Sequence, residues 1–386
     1  MKLAILGTRG IPAQYGGFET FAEQLATRLA RMGVDVTVFC PTDSPKPQTT
    51  YRGVSLRYLR SWPLGQFSEM FWDVDCFWAA RRGFDVVYML GVGAGFAAWI
   101  PRLSGTVVWI NSDGIEWKRS KWGLSQRTYL AVAEGLSVLF ASRIVADAEA
   151  IANYLRARYR GLRRMSTVAY GADLPVERPN QALIEEWGLQ PNDYYLIVCR
   201  LEPENHVLEI IEGYIRSKPS LPIVILGNIT NPNNHVRKLL TYRSDHVRFV
   251  GTVYEQEKLA ALRLYARAYM HGHSVGGTNP SLLEAMACSN LVIAHDNPFN
   301  REVLGESGLY FATSGELASV VEAVNENRVD VVTRKRRARD IISSRYRWDQ
   351  IADAYFELLC NDVRADANAA LKDSESGVLP PKSRVR

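Results

Sequence analysis

The stretch MKLAILGTRGIPAQYGGFETFAEQLATRLARMG, residues 1–33, decides the fold class of this chain. Its first apolar run, residues 3–6, precedes a long glycine-rich loop. The loop leads into a segment, from about residue 19 to 32, where apolar side chains recur at helical spacing: Phe21, Leu25 and Leu29. A second apolar run begins after Gly33, which ends the helix. This order of strand, loop, helix and strand predicts a βαβ unit with parallel strands.

The loop GTRGIPAQYGGFET, residues 7–20, is longer than a strand-to-helix connection needs. Gly16 and Gly17 stand just before the predicted helix, where free backbone N–H groups and the positive helix end suit phosphate oxygens. Without a Cβ, these glycines let a bulky anion approach the backbone. The pattern therefore predicts a phosphate-binding loop, with a turn merely shaped by glycines as the alternative.

The rest of the chain continues the alternation of strands and helices in two similar halves. Strands are predicted in the first half at residues 34–39, 85–90, 107–110, 144–146 and 167–169, and in the second at 194–199, 222–226, 247–250, 268–270 and 291–294. The polar, proline-marked segment 171–181 separates the halves. We therefore predict an α/β fold of two doubly wound parallel-sheet domains, residues 1–172 and 173–345.

The composition excludes several other classes of protein. The chain has 386 residues, 47% of them hydrophobic, and a net charge of +5, which is too weak to indicate nucleic-acid binding. Its five cysteines are scattered without a C-x-x-C pair, as in a reduced cytoplasmic protein. The longest apolar run, residues 86–100, is broken by three glycines and is too short to span a bilayer. We expect no secretory signal and a cytoplasmic location, with membrane contact at most peripheral.

A second glycine loop lies in HGHSVGGTNPSLLEAMACSN, residues 271–290. A short helix is predicted to begin near Pro280, so three backbone amides are available to a phosphate or to sugar hydroxyls, those of Gly277, Thr278 and Asn279. Glu284, one turn into the helix, is a candidate acceptor for a ribose diol or a partner for a nearby cation. A glutamate at this point also favours the helix dipole alone, which is the alternative.

Arg200 follows the predicted first strand of the second half, in VCRLEPENH, residues 198–206. Open α/β sheets bind their ligands at the carboxyl ends of the strands. A guanidinium at this edge can clamp a diphosphate through paired charge-assisted hydrogen bonds, although a structural salt bridge is the alternative.

Four motifs together resemble bacterial retaining family-4 glycosyltransferases of the rhamnosyltransferase type. They are GIPAQYGGFET (residues 10–20), DGIEWKRSKW (113–122), RLEPEN (200–205) and HSVGGTNPSLLEAM (273–286). The resemblance implies the GT-B fold, in which two Rossmann-like domains face a cleft, with the nucleotide-sugar donor bound mainly by the second domain and the acceptor by the first. It also implies that a C-terminal helix, residues 346–364, crosses back to the first domain. A disordered tail is expected over residues 365–386.

The resemblance also assigns roles to individual residues. Asp113, Arg200 and Glu284 are implied as catalytic-pocket residues, with Arg200 on the phosphates and Glu284 on the nucleotide ribose. The donor is expected to contact both glycine loops and the segment after Arg200: Gly16, Gly17, Asn205, Gly276, Gly277, Thr278 and Asn279. The acceptor is expected on the first domain: Tyr15, Glu116, Trp117, Lys118 and Arg119.

Two positions depart from the family pattern. Gly276 stands where the first glutamate of the E-x7-E motif is usual, and Asn205 stands where a phosphate-binding lysine is usual. The lost carboxylate argues against ordinary UDP-glucose recognition and leaves room for a 6-deoxy sugar. The lost lysine removes one charge from the diphosphate site, which Arg9 or His206 is a candidate to replace.

These features predict transfer of L-rhamnose from dTDP-rhamnose to a lipid-diphosphate-linked saccharide in cell-surface polysaccharide biosynthesis, without a metal ion or other cofactor. The D-x-D at Asp73 and Asp75 lies in a helix-like aromatic segment, residues 61–82, and is not expected to bind metal. That segment either packs in the core or meets the membrane. A GT-B sugar-nucleotide epimerase, a non-catalytic sugar-nucleotide-binding protein and an NAD-linked oxidoreductase are the alternative functions.

Overall fold

The computed structural model describes residues 1–13, 16–42, 48–63, 65, 68–119, 122–162 and 164–375. Within these ranges the strands form two sheets, one in each half of the chain. The α/β architecture predicted from the sequence is therefore present. Among the described residues no helix is both long and apolar enough to cross a bilayer.

The first sheet has eight strands in the order β3-β4-β2-β1-β5-β6-β7-β8. In chain order they are β1 (Lys2–Leu6), β2 (Asp35–Pro41), β3 (Thr50–Tyr51), β4 (Val54–Leu59), β5 (Val86–Met89), β6 (Val107–Ser112), β7 (Arg143–Ala146) and β8 (Met165–Thr167). Every pair is parallel except β3 with β4, an edge pair that the sequence analysis did not predict. The order reverses between β1 and β5, so a crevice opens at their carboxyl ends.

In the described part of the first domain, five helices besides the C-terminal one lie on the two faces of this sheet. They are α1 (Gly17–Arg31), α2 (Ser68–Ala79), α3 (Trp99–Arg102), α4 (Leu124–Phe140) and α5 (Glu149–Arg158). Alternate residues of β5 enter different cores, with Tyr88 packing beside α1 and Met89 beside α2 and α5. Strands covered on both faces explain why β1, β5 and β6 read as nearly continuous apolar runs.

The second sheet has six parallel strands in the order β11-β10-β9-β12-β13-β14. The strands are β9 (Tyr195–Val198), β10 (Ile223–Leu226), β11 (Val247–Gly251), β12 (Ala268–His271), β13 (Val292–His295) and β14 (Leu309–Phe311). The helices that follow are α6 (Val207–Arg216), α7 (Asn234–Leu240), α8 (Gln256–Tyr265), α9 (Pro280–Ala287), α10 (Pro298–Leu304), α11 (Ser314–Asn325) and α12 (Val331–Arg345). The order reverses between β9 and β12, which places Arg200 and the second glycine loop at the switch point.

Helix α13 (Trp348–Glu375) packs against the first domain although it follows the second in sequence. The hydroxyl of Tyr355 lies 2.8 Å from that of Tyr88 on β5. Asp362 accepts a 2.8 Å hydrogen bond from Trp109 Nε1 on β6 and forms a 2.5 Å ion pair with Arg143 on β7. These contacts join the last helix to three strands of the first sheet.

The tail of the chain differs from the expectation of disorder from residue 365. Helix α13 continues through Glu375, and residues 376–386 lie outside the described part of the chain. The segment NDVRADANAALKDSE is rich in alanine and contains leucine, lysine and glutamate, all good helix formers. Its polarity indicated disorder, but a helix already begun at Trp348 extends without a new nucleus.

We expect Asp362→Ala to lower the free energy of unfolding by about 3–5 kcal/mol. Asp362 is 4% exposed, and its loss leaves the guanidinium of Arg143 without its carboxylate partner and the indole N–H of Trp109 without its acceptor. Urea denaturation measures the effect. Asp353→Ala, which removes an exposed carboxylate from the same helix, is the control and is expected to stay within about 0.5 kcal/mol of wild type.

The same carboxylate makes the difference in unfolding free energy between wild type and Asp362→Ala depend on pH. Burial alone would raise the pKa of Asp362, but hydrogen bonds from Arg143 and Trp109 outweigh it and hold the pKa below its ordinary value. The stabilisation is therefore present above the unfolded-state pKa and is lost as the pH falls through the folded-state pKa. A stability gap between wild type and Asp362→Ala that stays constant into the acid range would contradict this account.

Candidate active site

The N-termini of two helices from different domains face each other across the cleft. Gly16 caps α1 and Gly17 is its first residue, while Pro280 is the first residue of α9. A Cβ atom added to Gly17 would lie 3.7 Å from Cγ of Pro280. The two positive helix ends therefore lie close together in the cleft, and their binding of a phosphate stays a prediction.

The other glycines of the first loop have a structural role. Gly7 and Gly10 have φ angles of +78° and +94°, which side chains with a Cβ rarely adopt. A Cβ on Gly7 would also collide with the backbone of Leu90, and one on Gly10 with the side chain of Cys40. The turn interpretation thus holds for this pair, while Gly16 and Gly17 are the glycines at the cleft.

Arg200 lies at the carboxyl edge of the second sheet, just after β9, and is exposed. Its backbone carbonyl accepts a 2.6 Å hydrogen bond from Nδ2 of Asn205. The Oδ1 atom of Asn205 lies 2.8 Å from Nδ1 of His273. Both ends of the Asn205 amide are thus used within the protein, where they tie the loop after β9 to the loop after β12.

His273 fills the space beside Gly276, where the family pattern has a glutamate. A Cβ added to Gly276 would meet Nε2 of the imidazole, so a larger residue does not fit here without movement of His273. Burial lowers the pKa of His273 well below its ordinary value, and neighbouring His271, Arg119 and Arg200 lower it further. The ring is therefore neutral, and with Nδ1 bonded to the Asn205 amide oxygen, Nε2 is left as a hydrogen-bond acceptor.

The second glycine loop is hydrogen-bonded to the first domain. The N–H of Gly277 donates to the carbonyl of Asp113 at 2.9 Å, and the N–H of Thr278 donates to Oδ2 of Asp147 at 2.9 Å. The hydroxyl of Thr278 also donates to the carbonyl of Asp147. Two of the amides expected to bind a phosphate therefore join the domains here, and a Cβ on Gly277 would collide with the Asp147 carboxylate.

Two carboxyl groups of the first domain lie beneath this loop. Burial raises the pKa of Asp113, an effect that the charge of Arg119 opposes. Burial raises the pKa of Asp147 well above its ordinary value, and the nearby charge of Asp113 raises it further. Asp147 Oδ1 makes no hydrogen bond among the described residues. The pair thus favours a protonated carboxyl group at the floor of the cleft.

Arg119 brings a second guanidinium to the same place, from the first domain. It is buried, with Nε 2.6 Å from Oε2 of Glu116 and Nη1 3.7 Å from Oε1 of Glu204 in the second domain. Both Arg119 and Arg200 act electrostatically on Asp113 and on His273. The charges of two guanidinium groups, one from each domain, therefore both act on Asp113 and His273.

Glu204 is a buried carboxylate that is poorly compensated. Its side chain is 2% exposed, and neither carboxylate oxygen makes a hydrogen bond within the described ranges. Among the described residues the cation paired with it is Arg119, at a distance longer than a hydrogen bond. A buried charge in this state is unfavourable unless a further group approaches it.

Glu284 is paired with a cation in the structure. Its Oε2 atom lies 2.5 Å from Nη2 of Arg263, a buried residue on α8. The Glu284 side chain is 32% exposed, so the carboxylate also reaches the surface. Of the alternatives that the sequence left open, pairing with a cation is present, and a ribose contact stays a prediction.

Four of the five residues predicted to bind the acceptor lie on one short segment after β6. Glu116, Trp117 and Lys118 form a 3-10 turn, and Arg119 follows it. Trp117 donates a 3.0 Å hydrogen bond to the hydroxyl of Tyr154. Tyr15 lies outside the described residues. The turn places Arg119 toward the second domain, whereas Lys118 is exposed.

Two sets of side chains are candidates for metal binding. Asp73 and Asp75 lie within α2, where residues two apart point in different directions, so the D-x-D does not form a chelate. Donor atoms of His206, Glu209 and His295 lie within 4.8 Å of one another. The two imidazole rings stack at 4.1 Å and 24°, however, so their in-plane lone pairs do not converge on one ion. Metal independence stays a prediction.

Three residues of the cleft were missed from the sequence: Asp147, Glu204 and His273. Asp147 and His273 each follow a strand at its carboxyl end, the signal that identified Arg200. Glu204 stands in the quoted RLEPEN motif, but only the fold brings it near Arg119. Strand ends therefore carried more information than the motifs alone.

Two family models cover most of the chain. Residues 1–173 match the model described as Domain of unknown function (DUF1972), and residues 180–339 match Glycosyl transferases group 1. The boundary between the two matches falls within the predicted linker. No curated protein matches the chain.

Solved structures resemble the whole molecule at low sequence identity. Sucrose-phosphate synthase from Thermosynechococcus elongatus is 19% identical with a TM-score of 0.81, over 94% of this chain and 99% of that one. HepE of Anabaena in complex with UDP-glucose is 18% identical with a TM-score of 0.76, over 94% and 100%. The catalytic domain of starch synthase IV from Arabidopsis thaliana, bound to ADP and acarbose, is 13% identical with a TM-score of 0.72, over 94% and 99%.

At these identities the structural likeness establishes the fold and no finer property. The predicted GT-B fold is confirmed, while membership of family 4 and the rhamnosyltransferase type stay predictions. The group 1 match covers the domain that carries Arg200 and the second glycine loop. The chain thus combines the GT-B fold with a segment, residues 180–339, that matches Glycosyl transferases group 1.

Proposed function

We propose that this protein is a retaining glycosyltransferase that transfers L-rhamnose from dTDP-rhamnose to a lipid-diphosphate-linked saccharide in cell-surface polysaccharide biosynthesis. The observation that carries the proposal is the close approach of two helix N-termini, those of α1 and α9, in the cleft, with Arg200 just after β9 at the carboxyl edge of the second sheet. This combination of positive charge suits a diphosphate. It also explains why the glycines precede both helices.

The donor class is supported by the similar proteins. HepE of Anabaena is described in complex with UDP-glucose and starch synthase IV with ADP, so nucleotides bind to this fold. For this chain we propose that the donor diphosphate lies between Arg200 and Arg119. The first domain would then supply the cation that the second lacks at Asn205. In this assignment Arg119 contacts the donor and not the acceptor. It takes the place of Arg9 and His206 as the candidate substitute for the missing phosphate-binding lysine.

We expect the donor sugar to bind in a site that lacks the carboxylate that the family pattern has at position 276. The neutral imidazole of His273 occupies the space beside Gly276, so no carboxylate reaches out from position 276. A neutral acceptor nitrogen accepts one hydrogen bond from a sugar hydroxyl, whereas a carboxylate accepts several. This environment suits a 6-deoxy sugar, which has one hydroxyl fewer than glucose.

The mechanism we propose is front-face transfer with retention of configuration. The bond from the anomeric carbon to the diphosphate oxygen breaks, the acceptor oxygen attacks from the same face, and the departing diphosphate oxygen takes the acceptor proton. Arg200 and Arg119 stabilise the negative charge that develops on the diphosphate. We assign Asp113 to orient the acceptor hydroxyl. Because the departing diphosphate takes the proton, this step requires no dedicated general base. We propose that the reaction needs no metal ion or other cofactor.

The proposal also includes the acceptor and the location of the protein. We place the acceptor saccharide against the turn after β6, which carries Trp117 and Lys118. A cytoplasmic protein with peripheral membrane contact would meet a lipid-linked acceptor at the membrane surface. An epimerase would convert the donor without any acceptor, and a non-catalytic binding protein would bind the donor without turnover.

We expect the purified protein to release a nucleoside diphosphate from dTDP-rhamnose only when a lipid-diphosphate-linked saccharide is present. Proton NMR of the product should show that the anomeric configuration of the donor is retained, and a chelator should leave the rate unchanged. Controls replace the donor with UDP-glucose or omit the acceptor. Conversion of the donor alone, an inverted product, or no turnover with any nucleotide sugar would each contradict the proposed reaction.

A further inference from the structure

The side chain of Asp147 occupies part of the second glycine loop, where the sequence predicts a phosphate. Its Oδ2 atom accepts a 2.9 Å hydrogen bond from the N–H of Thr278, and its backbone carbonyl accepts one from the hydroxyl of the same threonine. The N–H of Gly277 donates to the carbonyl of Asp113 at 2.9 Å. A backbone N–H has a single hydrogen to donate, so a phosphate that binds these groups must first displace their present acceptors.

The loop and the first domain leave no room for a phosphate between them. A Cβ atom added to Gly277 would lie 1.9 Å from Oδ1 of Asp147, and one added to Gly114 would lie 2.9 Å from the carbonyl oxygen of Val275. Asp147 is 1% exposed and Thr278 is 4% exposed. A phosphate group is larger than a methyl group, so it reaches the N–H of Thr278 only after the first domain has moved away from the loop.

A second carboxylate holds the segment that carries Asp147. Glu302 on α10, in the second domain, accepts hydrogen bonds of 2.8 and 2.9 Å from the N–H groups of Glu149 and Ala150. These are the first two residues of α5, whose own N-cap residue, Ala148, offers no side-chain acceptor. The two domains therefore exchange carboxylates, because Asp147 binds the main chain of the second domain and Glu302 binds that of the first.

The position of Asp147 is unfavourable for a carboxyl group. Burial raises its pKa well above the ordinary value, and the charges of Asp113 and Glu302 raise it further, although the hydrogen bond from Thr278 opposes them. Within the described ranges its Oδ1 atom has no hydrogen-bond partner. A diphosphate in its place would give the N–H of Thr278 a fully charged acceptor and would release Asp147 toward water. The present contact is thus one that an anion can replace.

We propose that Asp147 is an internal competitor of the donor diphosphate for the second glycine loop. In the protein without donor it accepts the N–H of Thr278, and the donor gains this N–H only when Asp147 leaves it. This inference rests on the proposed function, because it takes the loop to be part of the diphosphate site. The apparent affinity for the donor is then the intrinsic affinity multiplied by the fraction of molecules in which Asp147 has left the loop.

Calorimetric titration of the full chain with dTDP tests the proposal. Asp147→Ala removes the competing acceptor, so this variant should bind dTDP about tenfold more tightly than wild type does. Asp147→Asn keeps a side-chain oxygen at the position that accepts from Thr278, so it should bind dTDP within about twofold of wild type. Glu322→Ala, at an exposed carboxylate on α11, is the matched control and should bind as wild type.

A further variant separates competition from a general loosening of the domains. Glu302→Ala removes the other carboxylate of the contact but leaves the N–H of Thr278 bonded to Asp147, so its affinity for dTDP should stay close to that of wild type. Hydrogen exchange at Thr278 should be faster in Asp147→Ala than in wild type, and should slow when dTDP is bound. Thermal unfolding verifies that each variant is folded. Asp147→Ser, whose shorter side chain loses the contact, gives the same test if the alanine variant does not fold.

Equal affinity of wild type and Asp147→Ala for dTDP would overturn this inference and leave the proposed function standing. Weaker binding by Asp147→Ala would overturn it as well, because Asp147 would then position the loop for the donor. Equal tightening in Glu302→Ala would show that separation of the domains is the cause, and not competition. Tighter dTDP binding by Asp147→Ala in a protein that transfers no sugar would reject the proposed function alone, whereas no dTDP binding by any of these proteins would reject both.

Discussion

Replacing Arg200 with alanine is expected to lower kcat/KM for sugar transfer by about 10²–10³-fold. Arg200 follows β9 at the switch point of the second sheet, where the strand order reverses between β9 and its neighbour β12. As the donor bond breaks, the diphosphate gains charge, and Arg200 is positioned to stabilise that charge more strongly in the transition state than in the ground state. The loss should therefore fall on kcat as well as on the KM for the donor.

The fold should not change in the Arg200→Ala variant. The side chain is exposed, and the hydrogen bond that orders its loop comes from Asn205 to the backbone carbonyl of residue 200, which alanine retains. Arg237→Ala, at an exposed arginine on α7, is the matched control and should turn over as wild type. Steady-state kinetics with donor and acceptor varied separately gives the result, and turnover by Arg200→Ala equal to that of the control would remove Arg200 from the site.

The second large effect is expected at Arg119. Alanine at this position should raise the KM for the donor and lower kcat/KM by about 10²-fold, because a charge near the diphosphate is lost. Arg119→Ala also leaves Glu116 and the buried Glu204 without this cation, so the unfolding temperature is measured in parallel. Arg328→Ala, at an exposed arginine on the second domain, should have no effect.

Two further variants separate a donor contact from a structural ion pair. If Arg119 binds the diphosphate, Glu204→Gln should keep or lower the donor KM, because it removes a competing carboxylate near the guanidinium. The double variant Arg119→Ala, Asn205→Lys should recover part of the loss, since it returns a cation to the position where the family pattern has one. A Glu204→Gln variant as impaired as Arg119→Ala would show that the pair is structural.

Much of the fold could be predicted from the sequence because parallel strands covered on both faces are nearly continuous apolar runs. The runs at residues 3–6 and 85–90 became β1 and β5 within a residue or so. The edge pair β3 and β4 was missed because the prediction followed continuous apolar runs, whereas Val54–Leu59 alternates apolar and polar residues as a half-buried strand does and Thr50–Tyr51 is very short. Helix α1 begins at Gly17, two residues before the predicted start, because Gly16 caps it.

The site was predictable where a residue stands at a strand end or a helix start. Arg200 and the second glycine loop were found in this way and Asp113 through the family resemblance, and the three lie close together in the structure. The sequence could not show which segments, far apart along the chain, lie close together in the folded protein. Asp147 lies 131 residues before Thr278, and only the docking of two domains joins them. The sequence also could not show that the amide of Asn205, predicted to contact the donor, hydrogen-bonds to the carbonyl of Arg200 and to His273.

Calorimetric titration of nucleoside diphosphates tests the central claim most directly, because it measures the diphosphate site without requiring the right acceptor. The panel would contain dTDP, UDP and ADP, titrated into wild type, Arg200→Ala, Arg119→Ala and the control Arg237→Ala. We predict that wild type and the control bind at least one of them, that both site variants bind it about tenfold or more weakly, and that bound nucleotide raises the unfolding temperature. Wild type that binds none of the three, or equal affinity in all four proteins, would contradict the account.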